Sequence, residues 1–97
     1  MFEIGFTSEA IEDLRSFRTY DQQRIIATIQ RQLEHEATES ARNRKRLRPN
    51  HLAEWELRVG EFRVFYDADL EAASVRVVAV GRKLGNKLFV HGQEYEL

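Results

Sequence analysis

Apolar and polar residues alternate along EWELRV, residues 54–59, pause at Gly60-Glu61, and alternate again along FRVFYD, residues 62–67. A period of two marks a strand with one buried face. A glycine-first pair between two such runs suits a two-residue type II′ turn, so this stretch is predicted to be a hairpin. The turn sets the register. Val59 opposes Phe62, Arg58 opposes Arg63, Leu57 opposes Val64, Glu56 opposes Phe65, Trp55 opposes Tyr66, and Glu54 opposes Asp67. One face then carries Trp55, Leu57, Val59, Phe62, Val64 and Tyr66, and it needs cover. The other carries Glu54, Glu56, Arg58, Arg63, Phe65 and Asp67.

Two helical stripes can supply that cover. Ala10, Ile11, Leu14 and Phe17 recur at helical spacing behind an N-cap at Thr7 or Ser8. Glu9, Glu12 and Asp13 sit in the early turns, where the helix dipole favours acids, and a helix over about 8–18 is predicted. Ile25, Ile26, Ile29 and Leu33, extended by Ala37, predict a second helix over about 20–37. Thr19 and Gln22 have the capping-box spacing for its start. A link this short makes the pair an antiparallel hairpin.

Phe2, Ile4 and Phe6 alternate as a short first strand. Residues 38–53 are polar, basic and hold the only proline, Pro49, so they read as a loop. Strand 74–81 contains VRVVAV, an almost unbroken apolar run that belongs in the middle of a sheet. DADLEAAS before it is a hairpin loop. After the break at Gly85-Asn86, LFVHGQEYEL reads as a terminal strand or a small hairpin turning at His91-Gly92. The order is β-α-α-β-β-β, an α+β plan with a helical hairpin on one face of an antiparallel sheet.

Composition narrows the chemistry. The 97 residues suit a single domain, 1–97. The absence of cysteine excludes a disulfide scaffold, a thiolate metal site and a cysteine nucleophile, and makes a reducing cytoplasm the expected compartment. No apolar run approaches the roughly 20 residues that span a bilayer, and MFEIGFTSEA lacks the features of a signal peptide. His35, His51 and His91 lack ligand spacing and read as surface or loop residues, so neither metal nor cofactor is expected. A net charge of −1 argues against an unselective nucleic-acid binder. The charge is uneven, however: RNRKRLR, residues 42–48, holds Arg42, Arg44, Lys45, Arg46 and Arg48 without an acid, and local fields govern binding.

Arg58 opposite Arg63 is the oddity of the hairpin, since like charges facing each other cost some fraction of ~1 kcal/mol. Either Glu56 and Asp67 bridge them diagonally, or the pair receives an anion. Arginine's planar fork matches phosphate, and a strand holds it more rigidly than a loop. Phe65 on the same face is either a platform on which an unpaired base stacks, or is covered by the C-terminal segment, against Leu88 or Phe89.

LAEWELRVGEFRVFYD, a loop, and VRVVAVGRKLGNKLF together resemble the RelE/ParE superfamily of bacterial type II toxins, as does the order of elements, from the first strand to about residue 89. The resemblance implies a cognate antitoxin, with a toxin–antitoxin heterotetramer as one assembly. For RelE-like members it implies cleavage of messenger RNA on the ribosome, by attack of a ribose 2′-hydroxyl on the adjacent phosphate. Carried over by position, Arg63 matches the central phosphate-binding arginine, and Lys83 matches the basic residue after the third hairpin strand, with Arg82 beside it. Arg58 and Phe65 complete the substrate face, and Lys45, Arg46 and Arg48 are expected against ribosomal RNA phosphates. Glu54 and Glu56 stand where RelE has lysines. YoeB-like relatives use a glutamate as general base, which gives Glu56 that role. Phe89 stands where RelE-like members often have a tyrosine. The alternative implied by the same family is a member without nuclease activity: a ParE-like inhibitor of DNA gyrase, or a homologue that keeps only antitoxin binding.

Overall fold

The computed structural model describes residues 1–96. The elements are β1 (Glu3–Phe6), α1 (Ser8–Arg15), α2 (Thr19–Glu36), β2 (Arg44–Arg46), β3 (Trp55–Val59), β4 (Phe62–Asp69), β5 (Ser74–Leu84), β6 (Lys87–Val90) and β7 (Gln93–Tyr95). The strands form one sheet in the order β2-β3-β4-β5-β6-β7, with β1 alongside β5. All pairs are antiparallel except β1–β5, which is parallel. The α+β plan with both helices on one face is the expected one, and the expected elements recur in order.

Two features add to it, the strand β2 and the parallel place of β1, and the C-terminal segment takes the hairpin alternative. The predicted loop 38–53 contains β2, an edge strand paired to β3 through Arg44↔Leu57, Lys45↔Glu56 and Arg46↔Trp55. The segment after Gly85-Asn86 forms both β6 and β7. The sheet is therefore mixed and, among the described residues, seven-stranded, because β1 enters beside the first half of β5 while β6 takes the second half.

Local chemistry accounts for the helix ends. Thr7 Oγ1 accepts from the Ala10 amide at 3.2 Å and caps α1. The helix stops at Arg15, three residues early, because Ser16 closes the last turn with its amide and hydroxyl, the latter donating to Asp13 O at 2.6 Å. No capping box opens α2. Its N-cap is Arg18, extended and without a side-chain cap, and Gln22 instead donates to Phe17 O at 2.8 Å.

The core lies between the helices and the sheet. Ala10 and Leu14 of α1 and Ile25, Ile29, Leu33 and Ala37 of α2 and its cap meet Trp55, Leu57, Val59, Phe62, Val64 and Tyr66, the six residues assigned to that face by alternation. Tyr66 is fully buried, and its hydroxyl donates to Ala37 O at 2.8 Å. The β3–β4 register is as expected at every pair, with Gly60 at φ +58° in the turn.

The doublet Val77-Val78 marks a bulge. Phe65 pairs with Ala79 but Tyr66 pairs with Val77, so Val78 is the extra residue. The bulge lets Val75, Val77 and Val80 all join the core under the helices, and explains why VRVVAV lacks alternation. It also lies where β5 passes from β1 to β6 and would leave backbone groups unpaired. Thr7 fills part of that gap, donating through its hydroxyl to Val78 O at 3.2 Å. Asp13 fills the rest, accepting from the Val80 amide at 2.9 Å.

Candidate functional site

The face away from the helices is covered in part. A second, smaller core sits there: Phe65, Ala53, Ala79 and Val90 are buried, with Leu47, Leu52, Val78, Leu88 and Tyr95 packed against them. Phe65 has no exposed surface, so its assignment as a base-stacking platform is corrected: it is a core residue beneath the C-terminal strands. Burial of a ring this size outweighs leaving it in water by roughly 1.5–3 kcal/mol. Leu88 is among its covers. Phe89 is not, because it pairs with Arg82 and belongs to the opposite face.

Beside that small core is a cleft of about 420 Å³ lined by Lys45, Glu56, Arg63, Lys83, Asn86, Leu88, Tyr95 and Glu96. Adjacent strands place these groups in rows across the sheet. Lys45 of β2 faces Glu56 of β3, Arg63 of β4 faces Gly81 of β5, Lys83 faces Leu88 of β6, and Leu88 faces Tyr95 of β7. Gly81 leaves the centre open. A Cβ there would stand 2.6 Å from the Phe89 carbonyl oxygen and 2.9 Å from Val90 Cγ2. Only glycine lets β6 approach this closely.

The opposed arginines separate by different means. Arg63 turns back on the hairpin and donates through Nη1 to the carbonyls of Gly60 at 2.8 Å and Phe62 at 3.0 Å. Its Nε lies 3.8 Å from Glu56 Oε1, and the two side chains are 13% and 14% exposed. Burial pushes the Arg63 guanidinium below its ordinary value; Glu56 acts against that shift and Arg58 reinforces it. Arginine stays protonated nonetheless, so the cleft retains a partly desolvated cation. Arg58 is exposed on the same face. Asp67 takes no part, accepting instead from the Glu54 amide at 2.8 Å. Glu54 accepts from the Ala68 amide at 3.2 Å and lies outside the cleft.

Of the residues expected at the site, Arg63, Lys83, Glu56 and Lys45 converge on the cleft, and Arg58 stands opposite Arg63. Arg82 does not. It pairs across the sheet with Phe62 on the helix side, lies 5.7 Å over that ring, and forms an ion pair with Glu61. Alternation along β5 sends adjacent residues to opposite faces, so Arg82 cannot join Lys83. The same alternation divides the basic stretch. Arg44 is buried and donates to Glu39 O at 3.1 Å, Arg46 lies 5.8 Å over the Trp55 ring, and Lys45 alone of β2 reaches the cleft. Arg48 is exposed and lines an adjoining hollow with Lys45, Arg46 and Glu56. Tyr95 is the residue that sequence reading missed. Its signal was the His91-Gly92 turn: a two-residue turn there puts Tyr95 opposite Leu88, two strands from Lys83. Among the described residues no group of three or more His, Cys, Asp or Glu comes together as a metal site. No helix among them is long and apolar enough to cross a membrane.

A family model described as the ParE toxin of the parDE type II toxin–antitoxin system matches residues 4–84, well over half of the chain. A search of curated proteins finds no significant match. Among solved structures, a chain of the toxin–antitoxin complex RelBE2 from Mycobacterium tuberculosis superposes with a TM-score of 0.68 at 21% identity, covering 84% of this chain and 98% of that one. At that identity the likeness speaks for the fold. The family match spans both helices and the strands from β1 to β5, and the chain belongs to the ParE toxin family, within the RelE/ParE superfamily of type II toxins.

Proposed function

We propose that this toxin is an endoribonuclease that cuts messenger RNA on the ribosome, in the cytoplasm, and is held inactive by a cognate antitoxin. The observation that supports it is the convergence of Lys45, Glu56, Arg63, Lys83 and Tyr95 on one cleft. The reaction needs three functions there. Arg63, with Lys83 and Lys45, binds the scissile phosphate and balances the negative charge that grows on it. Glu56 accepts the 2′-hydroxyl proton as the 2′-oxygen bonds to phosphorus. The bond from phosphorus to the 5′-oxygen breaks, and the leaving oxygen takes a proton from the Tyr95 phenol. The products are a 2′,3′-cyclic phosphate and a 5′-hydroxyl. Arg58 meets the neighbouring phosphate, and Arg48 extends the basic surface toward ribosomal RNA.

The test is to map message ends after adding the purified toxin to translating ribosomes. Arg63→Ala is expected to lower cleavage by about 10²–10³-fold, the cost of removing one donor to a developing oxyanion. Its thermal midpoint should stay near wild type, because Arg63 belongs to neither apolar cluster. Intact message with the wild-type protein would sink the reading.

A second reading follows from the family match, which ends at residue 84 and so omits Leu88 and Tyr95. It is gyrase inhibition of the ParE kind. Loss of supercoiling by purified gyrase in the presence of the toxin, with message left intact, is its signature.

A further inference from the structure

The β6–β7 hairpin carries Leu88 and Tyr95 to the cleft, and among the described residues β7 has no strand neighbour other than β6. Its turn is His91-Gly92, with both residues in the left-handed region at φ +54° and +76°. His91 is in direct contact with α1: its Nδ1 lies 2.9 Å from Asp13 Oδ1. Asp13 is 9% exposed, and its second oxygen accepts from the Val80 amide at 2.9 Å. One buried carboxylate thus joins α1, the centre of β5 and the tip of the hairpin. Glu9 lies one turn earlier on α1. Its carboxyl is held below the ordinary value by its backbone and Ser8 hydrogen bonds, with a smaller contribution from His91.

We propose that His91 is a positioning residue: its bond to Asp13 docks the hairpin tip on α1 and thereby holds Tyr95 against the Arg63–Lys83 cleft. The mechanical reason is leverage. Leu88 is held by its pairing with Lys83, whereas Tyr95 is placed through the turn, so movement of the turn carries Tyr95 with it. Apolar packing holds the hairpin next to the turn through Val90, and among the hydrogen bonds of the described residues only the Asp13 contact ties the turn itself to α1. The effect on cleavage rests on the nuclease reading above; the docking does not.

Two variants isolate the contact. His91→Gly removes the imidazole and suits the left-handed backbone. His91→Asn also tolerates that backbone and places an amide nitrogen near the position of Nδ1. Asp13 itself is a poor probe, since it also satisfies Val80. In His91→Gly, amides of β6 and β7 should exchange about tenfold faster, the equilibrium equivalent of losing one hydrogen bond to a charged group, while β3–β5 keep their protection. Message cleavage should fall by about tenfold or more through misplacement of Tyr95. His91→Asn should restore both. Wild-type exchange in His91→Gly, or equal loss of protection across β3–β5, overturns the proposal. If the hairpin loosens in His91→Gly but wild-type toxin cuts no message, the docking stands and the nuclease reading falls.

Discussion

Two hairpins of the sheet, β3–β4 and β6–β7, are built on different terms. The β3–β4 hairpin buries six side chains on its helix face, and its turn needs one positive φ, at Gly60. Its register is over-determined, because a slip by one residue would expose all six. The β6–β7 hairpin is short, with buried Val90 and half-buried Leu88, Phe89 and Tyr95 as its apolar holds. Its place depends on contacts with distant parts of the chain, the Gly81 approach and the His91–Asp13 bond. The first is a scaffold; the second is an arm that completes the wall of the cleft. Rigid Arg63 and Glu56 stand on the former, and Tyr95 on the latter.

The sharpest way to break that contrast is to cut the scaffold's core. Leu57→Ala should cost about 2–5 kcal/mol, by lost transfer energy and the cavity left behind. Urea unfolding should show a lower midpoint with an unchanged slope, a cooperative loss shared by both hairpins. A smaller and local effect is expected from Gly81→Val, whose side chain must displace the Phe89 carbonyl. The cost should be about 1–3 kcal/mol. It should show as faster exchange in β6 and β7 alone, so equal loosening of β3–β4 would erase the distinction.

The smallest effect is pH-dependent. Burial raises the Tyr66 phenol well above its ordinary value, against a weaker lowering effect of Arg44. The folded state then holds its proton more tightly than the unfolded chain. That contribution is fully present below pH ~10, the ordinary tyrosine value, and is lost as pH rises beyond it. Denaturant midpoints of the wild-type protein should fall more steeply above pH ~10 than those of Tyr66→Phe, which should be about 1 kcal/mol less stable near neutrality through loss of the bond to Ala37.

Much of the site was legible where alternation governs. Arg63, Glu56 and Arg58 were placed on the right face from a period of two and a glycine turn. Lys83 was reached through family likeness. Arg82 falls on the other face, because neighbours in sequence along a strand are not neighbours in space. RNRKRLR lacks apolar alternation, so its charged residues hide a strand. Its own period of two buries Arg44 under α2, lays Arg46 on Trp55 and sends Lys45 to the cleft. The sequence leaves Phe65 open between a base platform and a covered residue, because its cover lies far along the chain, in Val90 and Leu88.

The amino-acid order alone determined the two helices, the β3–β4 hairpin with its register, and which six residues face the core. Those outcomes depend on interactions a few residues apart, and periodicity records them. Tertiary structure decided the bulge at Val78, the burial of Phe65, the strand hidden in the basic stretch, and the arrival of Tyr95 beside Lys83. Each depends on groups brought together from distant positions, as when Asp13 meets Val80 and His91, and no local pattern carries a contact across that separation.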